Sequence, residues 1–217
     1  IGSQLVKFLL CRNRICHCNT TVIIFARSKE KALKVFPYLE EEEHLEIVLG
    51  DISEPICYDG DIDYVIHGAS PTSSKYFVSH PVETIGAAVD GTRYVLELAK
   101  QKQVKGVVYL SSLEVYGTPA EDAGMITEKD YGYIEPLSVR SSYSEGKRIV
   151  ECLCASYAKE YDVPVKVARL SQTFGAGVAY EDGRVFAEFA RCAIEGKNIV
   201  LHTEGKTVRT YCYTIDA

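Results

Sequence analysis

The sequence contains the run Gly106-Val107-Val108-Tyr109-Leu110, which leads directly into Ser111-Ser112. Apolar runs of this length without polar alternation are typical of strands buried on both faces of a parallel sheet. Further along, Tyr143-Ser144-Glu145-Gly146-Lys147 places a phenol and an ammonium on one face of a helix. A strand that ends in serines, followed by such a helix, predicts a reaction site at the end of that strand.

The rest of the chain repeats the alternation of strand and helix. Four more apolar runs rich in Val and Ile predict strands at Val22–Ala26, Leu45–Leu49, Tyr64–His67 and 165–169. Helical spacing of apolar residues predicts helices over 81–100 and 142–161. This order of elements predicts an α/β fold with a doubly wound parallel sheet.

Composition argues against two classes of partner. The chain of 217 residues has a formal net charge of −6, which argues against nucleic acid. No apolar run is long enough to span a bilayer, so we predict no membrane partner. The segment 5–12 is interpreted as part of the first helix and not as an export signal. These features agree with a cytoplasmic protein.

Cysteines and acidic residues are the next candidates for a special role. Several of the eight cysteines fall within apolar stretches, and we interpret these as reduced thiols of the core. Cys16-His17-Cys18 has the residue types of half a metal site, but no second cluster stands at ligand spacing, so we predict no metal. The acidic run 40–43 is interpreted as the solvated end of a helix.

Taken together, the motifs resemble those of the extended short-chain dehydrogenase/reductases, the NAD-dependent epimerases, dehydratases and decarboxylases of nucleotide sugars. The resemblance covers nearly the whole chain. It is most specific for UDP-glucuronate decarboxylases, whose strand end S/T-x-E-V-Y-G and helix motif Y-x-E-G-K-R match 112–117 and 143–148. The stretch His67-Gly68-Ala69-Ser70-Pro71 is similar to the segment after the fourth strand of that family.

The resemblance implies that the chain is an internal piece of a longer enzyme. Gly2 then corresponds to the last glycine of a fingerprint that cradles a pyrophosphate at a helix N-terminus. The first strand and the earlier glycines of that fingerprint would be missing. We expect residues 1–170 to form a Rossmann-like dinucleotide-binding domain and residues 171–217 to form part of a smaller substrate-binding lobe.

The resemblance also implies which residues bind the cofactor. Asp51 and Ile52 match positions beside the adenine, and Ala69 and Ser70 end a strand where the dinucleotide crosses the sheet. Arg27 follows the strand after which an acid usually binds the ribose 2′-hydroxyl of NAD, whereas an arginine accommodates the 2′-phosphate of NADP. We therefore expect NAD, and Arg27 leaves NADP open.

Four residues are candidates for catalysis: Ser112, Glu114, Tyr143 and Lys147. We expect the Lys147 ammonium to lower the pKa of Tyr143, so that the phenol can take a proton from a sugar hydroxyl while the nicotinamide takes the hydride. Ser112 can hydrogen-bond the same oxygen. By the resemblance, Tyr143 and Lys147 also contact the cofactor, and Glu114 acts at C5 of the sugar or positions a uronate.

Two residues depart from the patterns of the family. Leu113 stands where the dehydratases carry an acidic Asp, and because Leu cannot donate a proton it argues against elimination of water. Ala88 stands where the family usually has an Asn in the helix after the fourth strand. The usual proton-relay geometry is therefore not expected to be retained unchanged.

Three residues are candidates for binding the substrate. Gln172 replaces an Asn of the family and keeps an amide donor that reaches one carbon further. Arg184 opens a helix predicted to end at Glu195, and Arg209 matches an Arg that contacts the diphosphate or the sugar. A guanidinium group suits phosphate and carboxylate alike.

The function favoured by these residues is that of an NAD(P)-dependent nucleotide-sugar decarboxylase acting through a 4-keto sugar. A nucleotide-sugar 4-epimerase and a 4,6-dehydratase are the alternatives, and a non-catalytic binding relative is the alternative of another class. The joint presence of Ser112, Tyr143 and Lys147 favours an enzyme. Apolar residues on more than one face of helices 81–100 and 142–161 predict a homodimer.

Overall fold

The computed structural model describes residues 1–71, 73–120, 124–201, 204–205 and 208–217. Helices separate most of the strands along this part of the chain, as predicted. In chain order they are α1 (Gly2–Cys16), β1 (Val22–Ala26), α2 (Lys29–Val35), β2 (Leu45–Leu49), β3 (Tyr64–His67), α3 (Ser74–Ser79), α4 (Pro81–Gln101), β4 (Gly106–Ser112), α5 (Ser142–Tyr161), β5 (Val165–Leu170), β6 (Gln172–Phe174), α6 (Val185–Glu195) and β7 (Tyr211–Tyr213). Short 3-10 turns lie at Leu113–Tyr116 and Val139–Ser141.

Every ladder between these strands is parallel. Strands β3, β4 and β5 form one sheet with β4 in the centre, where Tyr109 pairs with His67 on one side and Val167 on the other. Strands β1 and β2 form a second sheet, and β6 pairs with β7 in a third. In the part of the chain that the structure describes, no ladder joins β1 to β3. The predicted parallel sheet is therefore present as separate parallel pieces.

Helices α4 and α5 pack against each other and against the central sheet. Their shared core includes Leu96 from α4, Val107 and Tyr109 from β4, and Val150 and Cys154 from α5, all of them buried. Burial of each large apolar side chain stabilises the fold by about 1.5–3 kcal/mol. This packing holds the start of α5 beside the end of β4.

Local sequence explains where the two long helices begin and end. Pro81 occupies the first turn of α4, where its missing N–H costs no hydrogen bond. Glu83 lies in the first turn and Lys100 in the last, which complements the helix dipole. Helix α5 ends at Asp162, whose left-handed backbone (φ 56°) stops the helix before β5 begins.

Two of the smaller predictions are wrong. The acidic run 40–43 lies in turns after α2 has ended and not at a helix end; there Glu40 pairs with Lys29 at 2.7 Å and Glu42 pairs with Arg14 at 2.5 Å. Of the eight cysteines, all of which are free, only Cys154 is buried. The others lie at exposed or half-buried positions, because an apolar neighbour in sequence need not share a buried face.

The structure gives no sign of a metal site or a membrane span in the residues that it describes. No cluster of three or more His, Cys, Asp or Glu side chains is placed to hold an ion, and Cys18 Sγ instead donates to the Cys16 carbonyl oxygen at 3.8 Å. None of the helices in the described ranges combines the length and the apolar character needed to cross a bilayer.

Candidate active site

The centre of the site is the turn that follows β4. The Ser112 Oγ accepts a hydrogen bond from the Glu114 backbone N–H at 3.2 Å and so caps the turn Leu113–Tyr116. Gly117 closes this turn with φ 65°, and a Cβ there would lie 2.6 Å from the Tyr133 carbonyl oxygen. Only glycine fits that turn, which brings Ser112 and Glu114 next to the start of α5.

Tyr143 lies in the first turn of α5, against an aromatic ring that the sequence did not suggest. Its ring stacks on Phe77 of α3, with ring centroids 4.3 Å apart and planes within 9°. The Ser142 hydroxyl donates to the Phe77 carbonyl oxygen at 3.3 Å, which holds α3 against α5. The Ser112 hydroxyl lies near enough to Tyr143 to lower its pKa, and the shared contact of both residues with one sugar oxygen stays a prediction.

The expected lowering of the Tyr143 pKa is wrong for this arrangement. Burial raises the pKa above its usual value, and the carboxylate of Glu114 acts in the same direction. The hydrogen bond from Ser112 and the charge of Arg140 oppose this rise. The Lys147 Nζ lies 5.7 Å from the centre of the Tyr143 ring, and its ammonium is directed to another partner.

That partner is the backbone of β4. The Lys147 Nζ donates to the Leu110 carbonyl oxygen at 2.8 Å and lies 4.6 Å from the centre of the Tyr109 ring. Burial lowers the pKa of Lys147 to about 8, while Glu151 and Cys154 oppose that shift. An amine with this pKa can gain or release a proton near neutral pH.

Glu114 is held beside Tyr143 by two side chains that sequence reasoning missed. The Arg140 Nη2 donates to both carboxylate oxygens, at 2.9 and 3.1 Å, and the Ser144 Oγ donates to Oε2 at 2.9 Å. The Arg140 guanidinium also lies over the Phe77 ring, 5.1 Å from its centre. The available signal was position, because Arg140 stands three residues before Tyr143.

A second carboxylate near the site is that of Glu151 in α5, which is also held by an arginine. Arg169 of β5 donates to both oxygens of Glu151, with its shortest contact at 2.7 Å, and the Ser111 Oγ donates to Glu151 Oε1 at 2.6 Å. The Arg169 guanidinium lies 5.0 Å from the ring centres of both Tyr116 and Tyr131. Sequence reasoning missed this pair, which ties β4, β5 and the 3-10 turn to α5.

The predicted cofactor residues lie at the carboxyl ends of β1, β2 and β3. Arg27 follows β1 and Asp51 follows β2; hydrogen bonds from Ser53 lower the Asp51 pKa, and the charge of Arg27 adds to this. Ile52 packs on Gly91 of α4, where a Cβ would approach the Ile52 Cγ1 to 2.8 Å. Ala69 and Ser70 follow β3, and Gly2 is the first residue of α1.

The predicted substrate residues lie around β6 and β7. Gln172 begins β6, and its N–H donates to the Thr210 carbonyl oxygen at 3.3 Å, next to the exposed Arg209. Arg184 directly precedes α6, which begins at Val185 and ends at Glu195, and its guanidinium is paired with Asp182 at 2.6 Å. Arg184 also donates to the Thr173 carbonyl oxygen at 3.4 Å, next to Gln172. The three predicted substrate residues therefore lie in one region.

Comparison with known proteins gives this arrangement a family. Residues 1–217 match the model of the NAD dependent epimerase/dehydratase family. The chain belongs to this family. The predicted recognition of an extended short-chain dehydrogenase/reductase is thereby confirmed.

Among curated relatives, UDP-glucuronic acid decarboxylase 6 of Arabidopsis thaliana is 31% identical over 219 residues, covering 100% of this chain and 60% of the relative. UDP-glucuronic acid decarboxylase 1 of Xenopus tropicalis is 33% identical over 174 residues, covering 80% of this chain and 40% of the relative. The chain thus spans about 60% of the length of the plant relative.

Solved structures confirm the Rossmann-like α/β fold. A dTDP-glucose 4,6-dehydratase from Streptomyces venezuelae aligns with a TM-score of 0.78 at 22% identity, over 99% of this chain and 65% of that one. A UDP-glucuronic acid 4-epimerase from Bacillus cereus, in complex with UDP-glucuronic acid and NAD, aligns with a TM-score of 0.77 at 21% identity, over 100% of this chain and 67% of that one. At these identities the likeness concerns the fold.

Proposed function

We propose that the full-length protein is an NAD-dependent decarboxylase of a nucleotide-linked uronic acid, acting through a 4-keto sugar. The observation that carries this proposal is the placement of Glu114 on the turn capped by Ser112, where Ser144, the neighbour of Tyr143, donates to its carboxylate. The similarity to UDP-glucuronic acid decarboxylases supports it. The same similarity supports UDP-linked glucuronate as the substrate.

The ends of β1, β2 and β3 offer groups that fit a dinucleotide. Both hydrogen bonds from Ser53 go to Asp51 Oδ1. No described residue donates to Asp51 Oδ2, so this oxygen can accept a hydrogen bond from an adenine amino group. The exposed Ala69 leaves room at the end of β3. When bound, the nicotinamide supplies a reversible acceptor for the hydride of a sugar carbon. NAD is the cofactor we propose, and the exposed Arg27 also suits the 2′-phosphate of NADP.

The residues of the chain then handle protons. Tyr143 takes the proton of the C4 hydroxyl as a phenolate, so it must first lose its own proton, and Ser112 hydrogen-bonds the same sugar oxygen. A ketone at C4 makes the uronate a β-keto acid, which loses carbon dioxide and leaves the electron pair of the broken bond in an enolate. A proton from water then adds at C5, the position at which Glu114 is assigned to act. Lys147, with a pKa of about 8, is partly unprotonated near neutral pH and can accept the proton that Tyr143 loses.

Binding of the nucleotide sugar is assigned to the region of β6 and β7. Arg209 is exposed next to Gln172, and its guanidinium suits a diphosphate. Arg184 is a weaker candidate, because its charge is already paired with Asp182. These assignments agree with residues 171–217 belonging to a substrate lobe and residues 1–170 to a dinucleotide domain.

The reaction is tested by incubating the full-length protein with NAD and UDP-glucuronate, UDP-glucose or dTDP-glucose and measuring product masses. We expect loss of carbon dioxide from UDP-glucuronate and no mass change with the other sugars. Conversion of UDP-glucuronate at constant mass would identify a 4-epimerase, and loss of water from dTDP-glucose would identify a 4,6-dehydratase. Either result would contradict the proposal.

The role of Glu114 is tested in the same assay. We expect Glu114→Gln to abolish release of carbon dioxide while oxidation at C4 remains visible as reduced cofactor. Glu30→Gln makes the same chemical change on the exposed surface of α2 and serves as the control. Carbon dioxide release at the unmodified rate in Glu114→Gln would show that Glu114 takes no part in the reaction.

We also propose that the protein is a homodimer joined through α4 and α5. Val82 and Ile85 of α4 and Ile149 of α5 are large apolar side chains that remain exposed. Such groups on two adjacent helices support burial against a second copy. Sedimentation of the full-length protein at micromolar concentration is the test, and a monomer under those conditions would contradict the proposal.

A cytoplasmic location is proposed on the state of the thiols. All eight cysteines are free, and half of them are exposed. Exposed unpaired thiols persist in a reducing compartment and are oxidised or paired outside it. Fractionation of the source cells tests this, and recovery of the protein from a secreted fraction would contradict it.

A further inference from the structure

The Glu114–Arg140 pair has an unused half. Arg140 reaches Glu114 through Nη2 alone, and within the described ranges its Nε and Nη1 donate no hydrogen bond. The Arg140 side chain is 39% exposed, so these N–H groups are within reach of a ligand. An arginine presents five donors in a planar fork, and a second acceptor can therefore bind without displacing Glu114.

The surroundings of Arg140 hold the guanidinium in place. Its carbon lies 5.1 Å from the centre of the Phe77 ring, and Phe77 in turn stacks on Tyr143. The free donors are therefore supported by the same ring that supports the proposed acid–base residue. A substrate whose hydroxyl meets Tyr143 brings its neighbouring carbons into this area.

Charge restricts the ligand that fits. Glu114 by itself would repel an anionic sugar, since like charges brought together without compensation disfavour binding. Arg140 cancels that charge and still offers donors with the geometry that a carboxylate accepts. A neutral sugar has no group that needs either property.

We propose that Arg140 binds the carboxylate of the sugar acid and thereby determines specificity for uronates over neutral sugars. This inference rests on the proposed nucleotide-sugar site and names the residue of that site that distinguishes between the two classes of sugar. Arg140 shares its guanidinium between Glu114 and the substrate. Arg209 and Gln172 retain the role of holding the nucleotide part.

The test is calorimetric binding to the full-length protein loaded with NAD, in a Tyr143→Phe background so that the sugar is not consumed. UDP-glucuronate and UDP-glucose are compared, and UDP alone serves as the reference for an intact site. We expect Arg140→Gln to weaken UDP-glucuronate by about tenfold or more, a change of about 1.4 kcal/mol, and to leave UDP-glucose and UDP within about twofold. Arg93→Gln, a matched change at an exposed arginine of α4, should alter none of the three affinities.

A second variant separates direct binding from charge compensation. If Arg140 acted only by cancelling Glu114, the double variant Glu114→Gln/Arg140→Gln would regain the affinity for UDP-glucuronate. Direct binding predicts that the double variant stays weak. Restored affinity, equal weakening of both sugars, or an unmodified protein without preference for UDP-glucuronate would each overturn the inference.

The outcomes are separable from those of the proposed reaction. Epimerisation of UDP-glucuronate would contradict the decarboxylase proposal while the Arg140→Gln affinities still held. Release of carbon dioxide together with unchanged selectivity in Arg140→Gln would contradict the inference alone.

Discussion

One arginine–glutamate pair lies beside the start of α5 and another at its middle, and they differ in their access to water. In the pair of Arg169 and Glu151 the side chains are 12% and 13% exposed, and Ser111 supplies a further hydrogen bond. In the pair of Arg140 and Glu114 they are 39% and 32% exposed. The same two chemical groups, a guanidinium and a carboxylate, are thus found in two environments near the proposed reaction centre.

Solvent access separates what these pairs can do. Removing one partner of a buried pair leaves an uncompensated charge in the interior, which costs about 3–5 kcal/mol. An exposed pair contributes about 0–1 kcal/mol, so it can exchange partners at little cost. We therefore assign a structural role to Arg169–Glu151 and a role in binding and chemistry to Arg140–Glu114.

The strongest test of this division compares the tyrosines that belong to each side. Tyr143 lies beside Glu114, whereas the Tyr131 hydroxyl accepts a hydrogen bond from Arg169. We expect Tyr143→Phe to lower turnover of the full-length enzyme by about 10²–10⁴-fold, because a positioned acid–base group is removed. Tyr131→Phe should leave turnover within about twofold. Comparable losses of turnover in both variants would break the division.

Stability provides the next test. We expect Arg169→Ala to lower the free energy of unfolding by about 1–3 kcal/mol, because the largely shielded Glu151 carboxylate loses its charged partner and keeps the hydrogen bond from Ser111. Replacing both members, as in Glu151→Leu/Arg169→Met, should cost less, since no charge is then left unpaired. Urea denaturation of the full-length protein measures both, and a larger loss in the double variant would contradict this explanation.

Acid should weaken the packing of β3 against α4 through His67. Burial lowers the His67 pKa to about 4 from an unfolded value of 6.5, so the unfolded chain binds more protons between these pH values. The stability that the neutral imidazole contributes is full above about pH 6.5 and is lost as pH falls toward 4. The loss reaches about 3 kcal/mol for a shift of this size.

The variant His67→Gln isolates this contribution, because an amide can keep a hydrogen bond to Thr92, which His67 contacts at 3.0 Å. The difference in unfolding free energy between His67→Gln and the unmodified protein should shrink between pH 6.5 and 4. A difference independent of pH would show that His67 does not titrate on unfolding.

The smallest effect is expected for the exposed pair itself. Arg140→Ala should change the free energy of unfolding by less than about 1 kcal/mol, because solvent screens both charges. Arg93→Ala, which removes an exposed i,i+3 pair with Asp90, provides the matched control. A loss of unfolding free energy near that of Arg169→Ala would mean that Arg140 has a structural role. That result would contradict the binding role proposed for it.

Local sequence patterns were sufficient for most of the fold. The strands Val22–Ala26, Leu45–Leu49 and Tyr64–His67 and the helix Ser142–Tyr161 have the predicted bounds, because apolar periodicity and turn residues act over a few neighbouring positions. The short helix Ser74–Ser79 was missed. Six residues carry too little periodicity to distinguish a helix from a loop.

The candidate site was predicted in part for the same reason. Ser112, Tyr143 and Lys147 were identified from spacing and Glu114 from the family resemblance, and the structure places all four near the end of β4. Their protonation was not predictable, because the Tyr143 pKa depends on burial and on Glu114. Neither quantity is visible in a spacing of four residues.

The sequence by itself determined the α/β order of elements, the family and the four residues of the proposed reaction centre. Only the tertiary structure decided which charges meet: Arg140 reaches Glu114 across 26 positions, and Arg169 reaches Glu151 across 18. Such pairs depend on how helices and strands pack and on how much water remains around them. Burial then makes one pair structural and leaves the other open to a ligand, because the cost of an unpaired charge rises steeply as solvent is removed.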